Sequence, residues 1–376
     1  MSLHRNFTRV LSGIGAVLAM ATASQAQLNF NLVDGAELAA LQGSNPALYN
    51  QVRNGFNEAA ALWSNIFDDA VTVNITINYR SLASGILGQA SSTDTFFLYS
   101  DFRNSLLLDA LSADDALATS SLPTGPTFDL LINNTRDNPN GQGSSVPYLD
   151  NNGGNNNQII NMTRANAKAL GLVAGNSTAS DATITFSSNF SFDFDRSNGI
   201  SGGQTDFVAV AGHEIGHALG FICGCDVLDT NTLPSQNPGA PFNADEFIFV
   251  TPLDMFRFST QSLAFGPGVI DWTADNRTKF FSIDGGATSL AQFATGRNFG
   301  DGRQASHWKD NLGIGLMDPT LGGGEFGQIT TLDIRAFDVI GWNLRGLSVA
   351  AAPEPGTLAF FVVGGIAFGL RLRRRK

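Results

Sequence analysis

The residues best suited to chemistry lie in one short run, Asp206-Phe-Val-Ala-Val-Ala-Gly-His213-Glu214-Ile-Gly-His217-Ala-Leu-Gly220-Phe221. Residues four apart share a helical face, so His213 and His217 would offer both imidazoles to one metal ion. Glu214 beside them would reach a water on that ion as its base, the grouping that marks a zinc hydrolase. A chain of this length and histidine content would contain His-Glu-x-x-His by chance on the order of once in a thousand sequences. Catalytic zinc commonly takes three protein ligands and leaves its fourth position to water. The chain has four histidines. His4 falls in an apparent leader and two are already placed, so His307 is the remaining candidate for the third ligand.

The run His-Glu-Ile-Gly-His-Ala-Leu-Gly-Phe resembles the active-site helix of metzincin metalloproteases, whose glycine turns the chain toward the third ligand; Gly220 stands in that place. The compact metzincin motif would put the third ligand at position 223, where this chain has Cys223. Leishmanolysin-like metzincins instead carry a long insertion before the third histidine, followed by a methionine turn beneath the metal. Ser306-His307-Trp308 and Gly315-Leu316-Met317-Asp318-Pro319 are similar to that arrangement. The insertion from Phe221 to Ser306 would then be 86 residues, with Met317 ten residues after His307. The resemblance implies one catalytic Zn2+ on His213, His217 and His307, Glu214 as catalytic base, Met317 in the methionine turn, and a protein or peptide substrate. It covers the stretch from Gln204 to Trp342; the region before it rests on its α/β pattern.

The only cysteines are Cys223 and Cys225, which rules out a disulfide scaffold and a zinc ribbon. Three readings of Cys223 stand open: a buried small apolar residue, a thiolate ligand to zinc, or one half of a strained bond to Cys225. With no cysteine in the N-terminal region, a cysteine switch cannot hold the enzyme latent.

Around this centre, Leu48, Val52, Phe56, Ala60, Leu62, Trp63 and Phe67 recur at helical spacing and predict an amphipathic helix from Pro46 to Phe67. Val71 to Tyr79 alternates apolar and polar residues with β-branched content, as a half-buried strand does. Leu106 to Leu117 and Thr163 to Leu172 read as helices, and Phe128 to Ile132, Ala182 to Phe186 and Phe190 to Phe194 as strands. The zinc-binding helix should run from about 205 to 220, capped by Thr205 or Asp206. Leu332, Ala336, Val339 and Ile340 predict a terminal helix. Asn133 to Asn157, crowded with Asn, Gly, Asp and Pro, is a long loop. Its oxygens would suit Ca2+, but it lacks an ordered Asp/Glu ligand pattern and reads first as a solvated loop. The stretches 234–241 and 266–286 look irregular.

The two ends differ from the body. Residues 1–26 have the form of a secretory signal peptide: Arg5 and Arg9, an apolar run from Val10 to Ala21, then Ser24-Gln25-Ala26. Residues 353–376 carry Pro353-Glu354-Pro355, an uncharged segment, then four arginines and a lysine. That tail resembles a PEP-CTERM sorting tag, which implies an exosortase-type processing enzyme as a partner and transient transmembrane anchoring at the cell envelope or export beyond it. As a helix, Thr357 to Leu370 would reach roughly 21 Å against a hydrocarbon core of ~30 Å, a marginal span. Without the two ends, basic residues fall from 22 to 15 and acidic ones from 33 to 32, leaving a body charge of −17. Nucleic acid is thereby an unlikely partner.

The expected class is α+β: a metzincin-like zincin with a twisted mixed sheet and the active-site helix in the upper lobe (27–220), an insertion (221–306), and His307, methionine turn and C-terminal helix in the lower lobe (307–346). The chemistry points to an exported zinc endopeptidase. The competing reading is a surface or matrix protein with a structural metal, its Asn-rich loops facing extracellular polysaccharide. Glu214 favours the enzyme, because a closed structural site has no use for a base beside its ligands.

Overall fold

The helix Pro46–Ser64 shows how the sequence sets the core. Pro46 opens it and the Asn45 side chain accepts a hydrogen bond from Leu48 N–H, 3.2 Å, satisfying an otherwise orphaned donor. Val52, Phe56, Ala59, Ala60 and Trp63 form its buried stripe. The structure, a computed structural model, describes residues 27–233 and 242–347; the expected signal peptide, residues 234–241 and the expected sorting tag lie outside them. Among the described residues no helix is long and apolar enough to cross a membrane.

The fold is α+β. Its largest sheet has the order Asn29–Asp34, Thr72–Arg80, Ala182–Ser187, Gly88–Ser92. The first three strands are parallel and Gly88–Ser92 joins antiparallel at the edge, with Ala90 opposite Ile184, so the sheet is mixed. Parallel neighbours require a crossover, and the helices Ala36–Ser44 and Pro46–Ser64 supply it between the first two strands. In the central strand Val73, Ile75 and Ile77 are all fully buried. A phenylalanine cluster, Phe56, Phe186, Phe192 and Phe207, joins this sheet to the helices with ring centroids 4.5–5.6 Å apart.

The rest of the described chain adds short pieces: an antiparallel sheet of Arg257–Phe258, Lys279–Phe281 and Ala291–Phe293, another three-stranded sheet of Ile270–Asp271, Leu130–Ile132 and Tyr148–Asp150, and two strand pairs. The described residues form one compact unit, and one hydrophobic core runs from Leu28 to Trp342.

Several elements differ from the sequence reading. The expected helix Leu106 to Leu117 is two, Tyr99–Asp109 and Ala113–Ser121, because Ser112 and Asp115 form a capping box that starts a new helix. The amphipathic helix stops at Ser64, short of Phe67. Asp206, not Thr205, caps the histidine helix, its carboxylate accepting from Ala209 N–H at 3.0 Å. The strand Asn29–Asp34 and the helix Ala36–Ser44 went unread, and the irregular stretch from Gly266 contains two short strands.

Candidate metal centre

The histidine helix, Phe207–Leu219, is almost wholly buried. Its cap, Asp206, is held by Arg196 at 3.1 Å. Trp63 Nε1–H donates to Gly212 O at 2.8 Å, and Trp342 Nε1–H to Leu219 O at 2.8 Å, so two tryptophans from opposite ends of the chain fix it. Gly216 is small by necessity: a Cβ there would lie 2.5 Å from Met317 Sδ and 3.3 Å from Trp63. Gly220 ends the helix in the left-handed conformation, φ 118°, which glycine adopts without a Cβ penalty. The turn brings Phe221 O back to 2.7 Å from His217 Nδ1.

His213, His217 and His307 converge. The three Nε2 atoms are 3.0 Å (213–217), 3.2 Å (213–307) and 3.2 Å (217–307) apart. Each Nδ1 faces a backbone carbonyl: Leu316 O at 2.8 Å, Phe221 O at 2.7 Å and Gln304 O at 3.1 Å, respectively. A carbonyl only accepts, so each Nδ1 carries the proton and each Nε2 is left with a lone pair. Three lone pairs aimed at one point repel unless a cation lies between them. Tetrahedral ligands ~2.0–2.1 Å from zinc would be about 3.3 Å apart, close to the spacing here, so the residues fit a metal ion. Among the described residues these three histidines form a cluster able to hold one. Burial pushes all three imidazoles down, His307 to about 3, which keeps the ligand form neutral at ordinary pH. His213 and His217 retain partial solvent exposure.

His307 is placed by residues that sequence reasoning missed. Asp226 accepts from Ala305 N–H, Ser306 N–H and Ser306 Oγ–H at 2.7, 3.0 and 2.6 Å, and Ser306 Oγ accepts from Cys223 N–H at 2.8 Å. On the other side, buried Asp333 accepts from Trp308 Nε1–H at 2.8 Å, Leu316 N–H at 2.7 Å and Met317 N–H at 3.3 Å. Trp308 N–H donates to Met317 O at 3.0 Å. The terminal helix Thr331–Asp338 therefore ties the residue after His307 to the Met317 turn. The helix itself was legible from its apolar spacing; the signal that could have marked Asp333 was its capping pair with Thr330.

Glu214, on the same helix as His213 and His217, lies against the edge strand Gly88–Ser92. A Cβ on Gly88 would lie 3.3 Å from both its Cγ and Oε1. Burial pushes its carboxyl up to about 8, with a hydrogen bond from the Ala90 backbone opposing. Cys223 and Cys225 are free, buried thiols with Sγ atoms 2.8 Å apart; burial pushes the Cys223 thiol well up. The cluster of potential ligands does not include Cys223.

No protein-family model, curated protein or solved structure matches the chain.

Proposed function

We propose that the chain is an exported zinc-dependent endopeptidase of metzincin type, with His213, His217 and His307 as ligands and Glu214 as the catalytic base. The observation that carries this reading is the convergence of three bare Nε2 atoms, with Glu214 on the helix that supplies two of them. Zinc bound there would supply Lewis acidity, polarising the scissile carbonyl and making a water acidic. Glu214 would take the proton of the attacking water and return it to the departing amine.

The metzincin type is supported by the mixed sheet beside the active-site helix, the left-handed turn at Gly220, Met317 against Gly216, and the terminal helix. The strand Gly88–Ser92 ends the sheet and lies against Glu214. An extended peptide could add to its outer side through main-chain hydrogen bonds, which would lay a scissile bond beside the base. Export and processing at the envelope rest on the two ends of the sequence.

The test is hydrolysis of casein by the zinc-loaded protein and by Glu214→Gln. The variant should keep its zinc and lose activity by at least about 10²–10⁴-fold. Equal turnover by both proteins would remove Glu214 from the mechanism and return the chain to the reading of a surface protein with a structural metal.

A further inference from the structure

The Asn-rich loop holds a second cluster that the histidine site does not use. Its 3-10 turn Asn155–Asn157 packs against another, Ala244–Glu246. Carboxylates reach this place from separate segments, Asp150 in the loop and Asp245 in the turn Ala244–Glu246. Asp150 is 3% exposed, and Asp137 accepts from Ala244 N–H at 3.0 Å, beside Asp245. The negative charges of Asp137, Asp150 and Asp245 all bear on Tyr148. Among the described residues no arginine or lysine pairs with any of the three; the nearby Arg136 pairs with Glu246 instead.

Oxygens without partners accompany these charges. Asn156 and Asn157 are fully buried. Asn156 Nδ2–H donates to Asp150 Oδ2 at 2.7 Å and Asn157 Nδ2–H to Asp150 O at 3.2 Å. The Oδ1 atoms of both, and Oδ1 of Asp245, are buried with no hydrogen-bond partner. Such oxygens cost free energy unless something satisfies them. Gly154 lets Asp245 Oδ1 approach the turn: a Cβ there would collide with that oxygen and lie 2.8 Å from Asn152 Oδ1. Asn152 Oδ1 itself accepts from Gly154 N–H at 2.6 Å.

The geometry points to a Ca2+ site in this loop, with Asp150 and Asp245 supplying the charge and the amide oxygens of Asn152 and Asn156 completing an all-oxygen set. Hard oxygen donors without nitrogen or sulfur select a hard cation over zinc. An irregular mix of carboxylate and amide oxygens suits Ca2+, which takes six to eight ligands in flexible geometry, better than Mg2+, which demands a near-ideal octahedron. The ion would offset the charge of Asp150 and Asp245 and fasten the loop to the 3-10 turn Ala244–Glu246.

The test uses the mature chain, passed over chelating resin and reloaded with one equivalent of zinc, and reads thermal unfolding with ~1 mM CaCl2 or MgCl2. Ca2+ should raise Tm by about 3–8 °C and Mg2+ by less than about 1 °C. Asp245→Asn and Asp150→Asn should each abolish most of the rise, while their Tm without Ca2+ stays at or above that of the parent because charge repulsion is relieved. Terbium emission sensitised by Tyr148, and displaced by Ca2+, gives a readout that needs no variant to fold. No rise with Ca2+, an equal rise with Mg2+, an undiminished rise in both variants, or no Ca2+-displaceable emission would each overturn the proposal.

Discussion

At the scale of single residues, the centre depends on what surrounds each histidine as much as on the histidines themselves. Each Nδ1 is committed to a carbonyl, so the ring orientation and tautomer are set before any ion arrives, the role that outer partners play around metals. Ser306 illustrates the consequence. Its hydroxyl joins Asp226 to the Cys223 backbone, one residue from His307. Ser306→Ala should therefore loosen His307 and weaken zinc affinity by about 10–100-fold, the range found for outer-shell changes; competition with a fluorescent zinc chelator measures it, and an unchanged affinity would free His307 from that support. Gly216→Ala tests packing from the opposite side. Its methyl group would press on Met317 Sδ at 2.5 Å, and overpacking of this kind should destabilise by about 1–3 kcal/mol in a denaturant titration.

At the scale of elements, the terminal helix acts as the clamp of the site. Asp333 closes a capping box with Thr330 and also accepts from Trp308, Leu316 and Met317. Asp333→Ala leaves several buried donors unsatisfied at once, so a loss of about 3 kcal/mol or more is expected, together with weaker zinc binding; Asp333→Asn, which keeps one acceptor, should lose less. These long-range partners explain what the sequence could and could not tell. His213, Glu214 and His217 were legible because a helix brings i and i+4 together within one motif, and His307 because no other histidine remained. Asp226 carried no such mark and Asp333 only that of a helix cap: the partners they hold at the site lie 80 and 25 residues away, and neither spacing is periodic. The same reasoning applies to elements. The long alternating strand Thr72–Arg80 announced itself, whereas strands of two or three residues such as Ile270–Asp271 and Lys279–Phe281 are shorter than any pattern that could reveal them. Leu106 to Leu117 misled because apolar spacing continued across a break that Ser112 imposes.

At the scale of the whole molecule, buried carboxyls join the ends of the described chain. Asn343 Nδ2–H bridges Asp69 at 3.2 Å and Asp109 at 2.9 Å, and Ser112 Oγ–H donates to Asp338 at 2.6 Å. Burial first, then neighbouring acids, pushes Asp69 up to about 8, Asp338 to about 7 and Asp109 to about 6, from an ordinary value of 3.8. The native state therefore keeps protons that the unfolded chain has released. Their contribution to stability is whole below pH ~4 and is lost as pH rises through 6 to 8. Asp338→Asn should raise stability by about 2 kcal/mol at pH 8.5 and change it little at pH 4, a contrast that urea titrations at the two values would read. The proposed processing of the ends has its own check: the intact mass of extracellular protein should correspond to a chain that starts near Gln27 and has lost its basic tail, and a terminus at Lys376 would contradict the sorting reading. The central claim is that three histidines hold a zinc whose remaining position is open to water, and zinc K-edge absorption of the purified protein tests it most directly. The account predicts a spectrum of three imidazole nitrogens and one oxygen at about 2.0–2.1 Å, lost in His307→Ala. A sulfur shell at about 2.3 Å, or an unaltered spectrum in that variant, would contradict it.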